Sequence, residues 1–339
     1  MKIGKLTIKK PIIYSPLAGC SDFPFRKIAA RYKPGLMFCE MVKMEPLLRG
    51  NETTIRMLDY SEDMRPIGGQ ICGSKIALAG PAAKIIEDLG FDVVDLNCGC
   101  PVDKVTKDGS GSGMLRHPER IGDLVAEMVA AVSIPVTVKV RAGWDESHIV
   151  VEEVTRIIEE AGASAVFVHG RTRQQGYTGP SKREYVRRAK EAARNITVVG
   201  NGDIFDAKSA LDMFEKTGCD GVLVARGTMG QPWIAEDIWR ALNEQDSILR
   251  DPEEYRKAFL DHFDLSSQYK NEKGALIDMR RVCGWYLRNS PGAREIRARA
   301  AKGASLQEIR GIIESFDFVT CYTHSTSRFG ISVAPKSRD

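Results

Sequence analysis

Eight short apolar runs, most of them followed by an amphipathic stretch, constrain this chain more than any other feature. The runs are residues 12–17, 36–40, 66–71, 93–97, 135–141, 165–169, 196–200 and 221–225. Segments of helical periodicity lie between most of them, at 75–89, 118–132, 149–161, 182–193 and 206–216. In 75–89 the apolar residues fall at 76, 78, 79, 82, 83, 85, 86 and 89, a helical stripe rather than an alternation. Pro118 suits a first helical turn, and Gly90, Gly162 and Gly218 fit helix stops. Short strands apolar on both faces, separated by helices, predict a parallel sheet covered on both sides. Eight strands close, so the expected fold is α/β, a (β/α)8 TIM barrel. A doubly wound open sheet is disfavoured, because no G-x-G-x-x-G follows the first strand. Residues 2–8 are expected to form a small hairpin covering the bottom of the barrel.

The pattern changes after Trp239. From 252 to 318 there are no strand-like runs, and helices are expected at 255–270, 276–287 and 306–316. The barrel is therefore placed at 1–244 and a smaller all-helical C-terminal domain at 245–318. The Ser/Thr-rich stretch 319–339 is expected to be a loosely ordered tail. No run approaches the ~20 apolar residues of a membrane span, and the N-terminus lacks a signal-peptide core. A cytoplasmic protein without membrane contact is predicted. The eight cysteines are scattered, with one C-x-C pair and no second cluster, so no metal site is expected. Nothing indicates an obligate protein partner. The net charge of +4 argues little by itself.

Candidate chemistry gathers at the carboxyl ends of the predicted strands, where α/β enzymes build their sites. Cys100 follows the fourth run in Asp95-Leu96-Asn97-Cys98-Gly99-Cys100-Pro101. It could serve as nucleophile, metal ligand or proton donor; alternation points Cys98 elsewhere, into packing. Gly200-Asn201-Gly202 follows the seventh run and Ala225-Arg226-Gly227 the eighth, the loops that commonly hold a phosphate in a barrel. Gln70, Lys139, His169 and Arg171 lie at the ends of other strands. Lys139 stands in a β-branched run, where a lysine is costly to bury alone. A phosphate site, a buried cation, an amide and a histidine around one mouth suit flavin mononucleotide (FMN). Lys139 would then lie near N1 of the reduced ring and Gln70 at its amide-like edge. The small turn Ser15-Pro16-Leu17-Ala18-Gly19 would let the ring lie flat. Composition does not separate this from other phosphorylated ligands.

Residues 15–26, SPLAGCSDFPFR, resemble the opening signature of the tRNA-dihydrouridine synthases. So do Asp95–Pro101, Val138-Lys139-Val140-Arg141-Ala142-Gly143 and Val168-His169-Gly170-Arg171-Thr172-Arg173. Gly200-Asn201-Gly202-Asp203-Ile204, Ala225-Arg226-Gly227 and Gly230-Gln231-Pro232-Trp233 continue the series. Met279-Arg280-Arg281-Val282-Cys283-Gly284-Trp285 is similar to a motif of the family's helical domain. The likeness runs from about residue 1 to about 318 and is nearest the bacterial B-type branch. It implies a flavin-dependent reductase of specific uridines in tRNA. FMN would be held by Pro16, Leu17, Ala18, Gln70, Lys139, His169, Gly200, Asn201, Gly202, Ala225 and Arg226. NADPH would reduce the flavin, hydride would pass to C6 of the uracil, and Cys100 would be the acid at C5. An unperturbed thiol is mostly protonated at neutral pH, which agrees with that role. Asn97, Arg171, Arg280 and Arg281 are expected to contact the substrate. The family usually has a Lys-His pair after the Met-Arg, where this chain has Arg281-Val282.

Two basic clusters suit RNA phosphates. One runs from Arg280 to Lys302 and includes Arg288, Arg294, Arg297 and Arg299, with Trp285 and Tyr286 expected in the core. The other is Arg171, Arg173, Lys182, Arg183, Arg187 and Arg188, beside the mouth. An FMN barrel acting on a small unsaturated substrate is the alternative, which would not need the basic helical domain. A flavin-retaining RNA-binding protein without catalysis is a third reading.

Overall fold

The computed structural model describes residues 1–287 and 292–318. The expected tail at 319–339 and Arg288 lie outside the described residues. The chain divides into two compact units. The first is Met1–Thr228 with Trp233–Ser247; the second takes Met229–Pro232 and everything from Ile248.

The first unit opens with an antiparallel hairpin, β1 (Lys2–Ile3) and β2 (Leu6–Thr7). Eight parallel strands follow: β3 (Ile12–Tyr14), β4 (Leu36–Lys43), β5 (Ile67–Cys72), β6 (Val93–Cys98), β7 (Val136–Arg141), β8 (Ala165–His169), β9 (Thr197–Asn201) and β10 (Gly221–Val224). They close in sequence order, with β10 pairing β3. The helices Ile76–Asp88, Pro118–Ala131, Val151–Glu160, Arg183–Ala192 and Ala207–Thr217 occupy the predicted segments to within two residues at each end. Sequence reading missed Phe23–Ala30, whose signals were present: Asp22 caps it by accepting the Phe25 N–H at 3.1 Å, and Pro24 sits in its first turn. It also missed Ile234–Leu242, which closes the unit.

Strand alternation divides the barrel's residues into two sets. Val94, Leu96, Val138, Val140, Val166, Val168 and Val198 pack outward with the helices. Ile13, Leu36, Phe38, Val93, Phe167, Val199 and Leu223 form a separate inner cluster with Ile3 and Ile8. The hairpin thus plugs the amino-terminal end of the barrel with apolar side chains. The same inward parity carries Gln70, Asp95, Asn97, Thr137, Lys139, Arg141, His169 and Asn201 above this cluster. Barrel strands therefore read apolar at the base and polar at the mouth on one and the same face.

The second unit is helical: Pro252–Tyr269, Glu272–Tyr286, Ala293–Lys302 and Leu306–Ser315. Trp285 and Tyr286 are buried, and the Phe259 and Tyr286 rings stack at 4.5 Å. Gly230 belongs to this unit, and its φ of 74° and the close approach of the Trp285 backbone leave no room for a side chain there.

Candidate active site

Cys100 sits on the turn that leaves β6, half-buried and free of any disulfide. Asn97 shapes this turn: its Oδ1 accepts the backbone N–H of Cys100 at 2.9 Å and that of Gly99 at 3.1 Å. Ser112 holds the turn from the other side, donating to the Cys100 carbonyl through its N–H at 3.1 Å and its Oγ at 2.9 Å. Arg141 donates from Nε to the Gly99 carbonyl at 2.9 Å. Its Nη1 donates to the carbonyls of Thr172 at 2.7 Å and Gly176 at 2.8 Å. One buried guanidinium therefore ties the cysteine turn to the loop after β8. Burial lowers the Arg141 pKa to about 10.

Beneath the turn lies a buried amide relay. Asn97 Nδ2 donates to Gln70 Oε1 at 2.9 Å, and Gln70 Nε2 donates to Asp95 Oδ2 at 2.7 Å. Thr137 Oγ1 completes the carboxylate at 2.7 Å. Burial raises the Asp95 pKa to about 7, against the opposing effects of Gln70, Thr137 and Lys139. Gln70 is thus already held on both sides; one N–H and one lone pair remain for a ligand.

Lys139 lies beside this relay and donates to Asn201 Oδ1 at 3.3 Å. Among the described residues no carboxylate forms an ion pair with it. Burial, and next to it Arg141, lowers its pKa to about 8, while Asp95 and Cys100 pull the other way. His169 is buried, and Arg171 Nη1 donates to its Nε2 at 3.3 Å, which leaves the ring proton on Nδ1. Burial first, then Lys139, Arg141, Arg171 and Arg226, hold its pKa well below the usual value, so the imidazole is neutral.

Asp203 organises the ends of β9 and β10. Arg171 Nη2 donates to both its carboxylate oxygens, at 2.9 and 2.7 Å, Arg226 Nη2 donates at 3.1 Å and the Ser181 N–H at 2.8 Å. Burial alone would raise its pKa; the Ser181 N–H, Arg171 and Arg226 outweigh that and keep it lowered. Arg226 remains partly exposed and lies over the rings of Tyr177, 4.9 Å from the centroid, and Phe205, 5.5 Å. Gly202 has φ 121°, and a Cβ there would strike Ser181. Gly200 is different. Its Cβ position faces Met213 and Cys219, so only its backbone belongs to the mouth. The loop carrying Pro16, Leu17 and Ala18 is held by the Leu17 N–H on Ser21 Oγ at 2.9 Å and the Gly19 N–H on Glu40.

The structure therefore brings Gln70, Asn97, Cys100, Lys139, His169, Asn201 and the β9 and β10 loops to one mouth. Arg171 is 2% exposed, with its fork on Asp203 and the Gly179 carbonyl. Arg280 and Arg281 belong to the second unit. Arg280 caps the Gly303 carbonyl through Nη2 at 2.7 Å, and Arg281 pairs with Asp278 at 2.6 Å over the Trp285 ring. Cys98 is buried in the outer core, where burial raises its pKa well above the usual thiol value. Among the described residues no group of His, Cys, Asp or Glu could hold a metal ion, and no helix is long and apolar enough to cross a membrane.

A family described as dihydrouridine synthase matches residues 13–320. The chain belongs to the dihydrouridine synthase family. It is 36% identical over 302 residues to the tRNA-dihydrouridine synthase B of Pseudomonas aeruginosa, covering 88% of this chain and 90% of that protein. It is 33% identical over 317 residues to a probable tRNA-dihydrouridine synthase 1 of Synechocystis sp., covering 93% and 88%. A crystal structure of TcOYE with pHBA shares the barrel fold, with a TM-score of 0.55 at 14% identity over 75% of this chain and 94% of that one.

Asp95, Ser112, Thr137, Arg141 and Asp203 contribute to this site and carried no assigned role in the sequence reading. A signal for two of them existed. Val136-Thr137-Val138-Lys139-Val140-Arg141 alternates strictly, so once Lys139 faces the barrel interior, Thr137 and Arg141 must as well.

Proposed function

We propose that this chain is a flavin-dependent tRNA-dihydrouridine synthase that reduces the C5=C6 bond of uridines in tRNA, using FMN and NADPH. The observation that carries the proposal is Cys100, held by Asn97, Ser112 and Arg141 at a barrel mouth whose wall offers a lysine, Lys139, with no ion pair among the described residues. The same residues fit FMN. Lys139 has a charge to offer an electron-rich ring, Gln70 keeps one donor and one acceptor, and Arg226 with the β9 and β10 loops suits a phosphate. His169, Asn201, Gly202, Ala225 and the turn Pro16-Leu17-Ala18 complete the cradle.

Bound and reduced, FMN would supply hydride for C6 of the uracil. Cys100 would deliver the Sγ proton to C5, so that hydride and proton together would saturate the bond. Asn97 and Arg141 fix where Sγ stands. The resting thiol needs no activating base for this role, unlike a nucleophilic cysteine. The barrel unit would carry the redox chemistry. The helical unit would add tRNA contacts through cations such as Arg294, Arg299 and Lys302, which are exposed. A tRNA substrate would suit a cytoplasmic enzyme.

Dihydrouridine mapping tests the reading. In tRNA from cells lacking this protein, particular dihydrouridines should be absent and should return on complementation with the wild type but not with Cys100→Ala. Restoration by Cys100→Ala at the wild-type level would remove Cys100 from the chemistry. No change in tRNA on deletion, with purified protein that still takes up flavin and oxidises NADPH, would favour a small unsaturated substrate.

A further inference from the structure

The basic cluster that the sequence sets beside the mouth is largely neutralised in the fold. Lys182 pairs with Glu146 at 2.6 Å, Arg183 with Asp212 at 3.0 Å, Arg187 with Glu191 at 2.6 Å and Arg188 with Glu152 at 2.5 Å. A phosphate could use these cations only by displacing a carboxylate already in place.

The loop after β6 shows the opposite arrangement. It continues from Cys100 through the helix Asp103–Thr106 to the short 3-10 helix Gly111–Arg116. Its two acids are satisfied by cations from neighbouring segments: Asp103 by Arg173 of the loop after β8, and Asp108 by Lys43 at the end of β4, at 2.8 Å. Its own cations Lys104, Lys107 and Arg116 are exposed and have no ion pair among the described residues. The loop therefore presents three uncompensated positive charges.

Arg116 is positioned without spending its charge. Its guanidinium lies on the Trp144 ring, 3.4 Å from the centroid, and Arg173 approaches the same ring at 4.7 Å. Contact with an aromatic ring orients an arginine but leaves N–H groups for a phosphate. The loop is also coupled to the reactive thiol, since Ser112, four residues before Arg116, holds the Cys100 carbonyl.

We propose that Lys104, Lys107 and Arg116 form the surface that grips the RNA backbone phosphates flanking the nucleotide at Cys100, and that the basic helix Arg183–Ala192 does not. This rests on the tRNA reading above. A nucleotide withdrawn from its stack into a barrel leaves its neighbouring phosphates at the rim, so cations beside the acid would stabilise that strained conformation.

The test is binding of bulk tRNA to the flavin-loaded protein over a range of salt, followed by fluorescence anisotropy. Lys104→Ala/Lys107→Ala/Arg116→Gln should weaken binding about tenfold or more and flatten the log–log salt slope by about 2, on the basis of about 0.7 per phosphate contact. Flavin absorbance and thermal midpoint should stay at wild-type values. Lys182→Ala/Arg187→Ala should bind within about twofold of wild type with an unchanged slope. If Arg116→Gln upsets the fold, Lys104→Ala/Lys107→Ala alone should still flatten the slope by about 1.4. Wild-type affinity and slope in the loop variants would overturn the proposal and leave the activity reading intact. Absence of salt-dependent tRNA binding by the wild type would instead overturn the activity reading.

Discussion

The side-chain amide of Asn97 and the backbone of Cys100 form one unit, with Oδ1 accepting the Cys100 N–H at 2.9 Å while Nδ2 donates to Gln70 at 2.9 Å. The turn that presents the thiol is thereby hung from the floor of the barrel. Asn97 keeps only one N–H for a substrate, so its larger part is positional.

Asn97→Ala frees the Gly99 and Cys100 N–H groups and lets the thiol drift. A displacement of about 1 Å costs proton transfer about 10²-fold. Uridine reduction in a single turnover should fall by that order, while flavin occupancy and its reduction by NADPH stay within about twofold. Rapid-mixing measurement of the two half-reactions separates them; equal losses in both would show that Asn97 supports the flavin floor instead.

Asp95 makes stability depend on pH in a defined direction. Its folded-state pKa, about 7, lies above the ordinary 3.8. The folded protein then binds the proton more tightly, and the stability so gained is full below about pH 4 and lost as pH rises through about 7. His169 has the opposite sign, because its lowered pKa removes stability as pH falls below 6.5. The two overlap, so the comparison must be with Asp95→Asn, which can still accept from Gln70 and can donate to a rotated Thr137. Between about pH 5 and pH 8 the wild-type midpoint should fall relative to that variant, by about 2–4 °C for each kcal/mol lost. Parallel melting curves would mean that Asp95 is not protonated in the folded protein at acid pH.

The barrel was legible because its strands are apolar on both faces and its helices carry a 3.6-residue stripe, signals local to each segment. The site was legible only in part. Its residues stand at strand ends in order, yet which of them spend their hydrogen bonds on one another depends on pairs far apart in the chain. Arg171 meets Asp203 across 32 residues and Arg188 meets Glu152 across 36, so the sequence shows cations where the fold has ion pairs. Gly200 and Asn201 look equivalent as neighbours in one loop, but alternation turns one to a helix and the other to the mouth.

Asp203 carries two arginines, and one of them is buried. Asp203→Asn leaves the Arg171 guanidinium with no carboxylate in a site of little water, at a cost of about 3 kcal/mol or more. Asparagine tolerates the φ of 48° at this position, so backbone strain adds little. Replacing the arginine as well, in Arg171→Met/Asp203→Asn, should recover most of that loss. Urea unfolding of the four proteins measures the coupling; additive effects would show that the pair contributes little to the folded state.

Gly202 and Gly218 separate the demands of a ligand cradle from those of a helix stop. Both have positive φ, 121° and 64°; at 64°, in the left-handed helical region, alanine costs about 1–2 kcal/mol, and at 121°, outside that region, it costs more. Around Gly218 a Cβ meets nothing within 4 Å, whereas at Gly202 it strikes Ser181 and comes within 3.0 Å of His169. Ser181 donates its N–H to Asp203, which also holds Arg226, so a shift there moves the whole side of the mouth built by the β9 and β10 loops. Gly202→Ala should weaken FMN binding by about tenfold or more, and Gly218→Ala should leave it within about twofold while losing about 1–2 kcal/mol of backbone stability. Titration of the flavin-free proteins with FMN, read by quenching of flavin fluorescence, gives both affinities. Equal affinity in the two variants would remove the β9 loop from the flavin site.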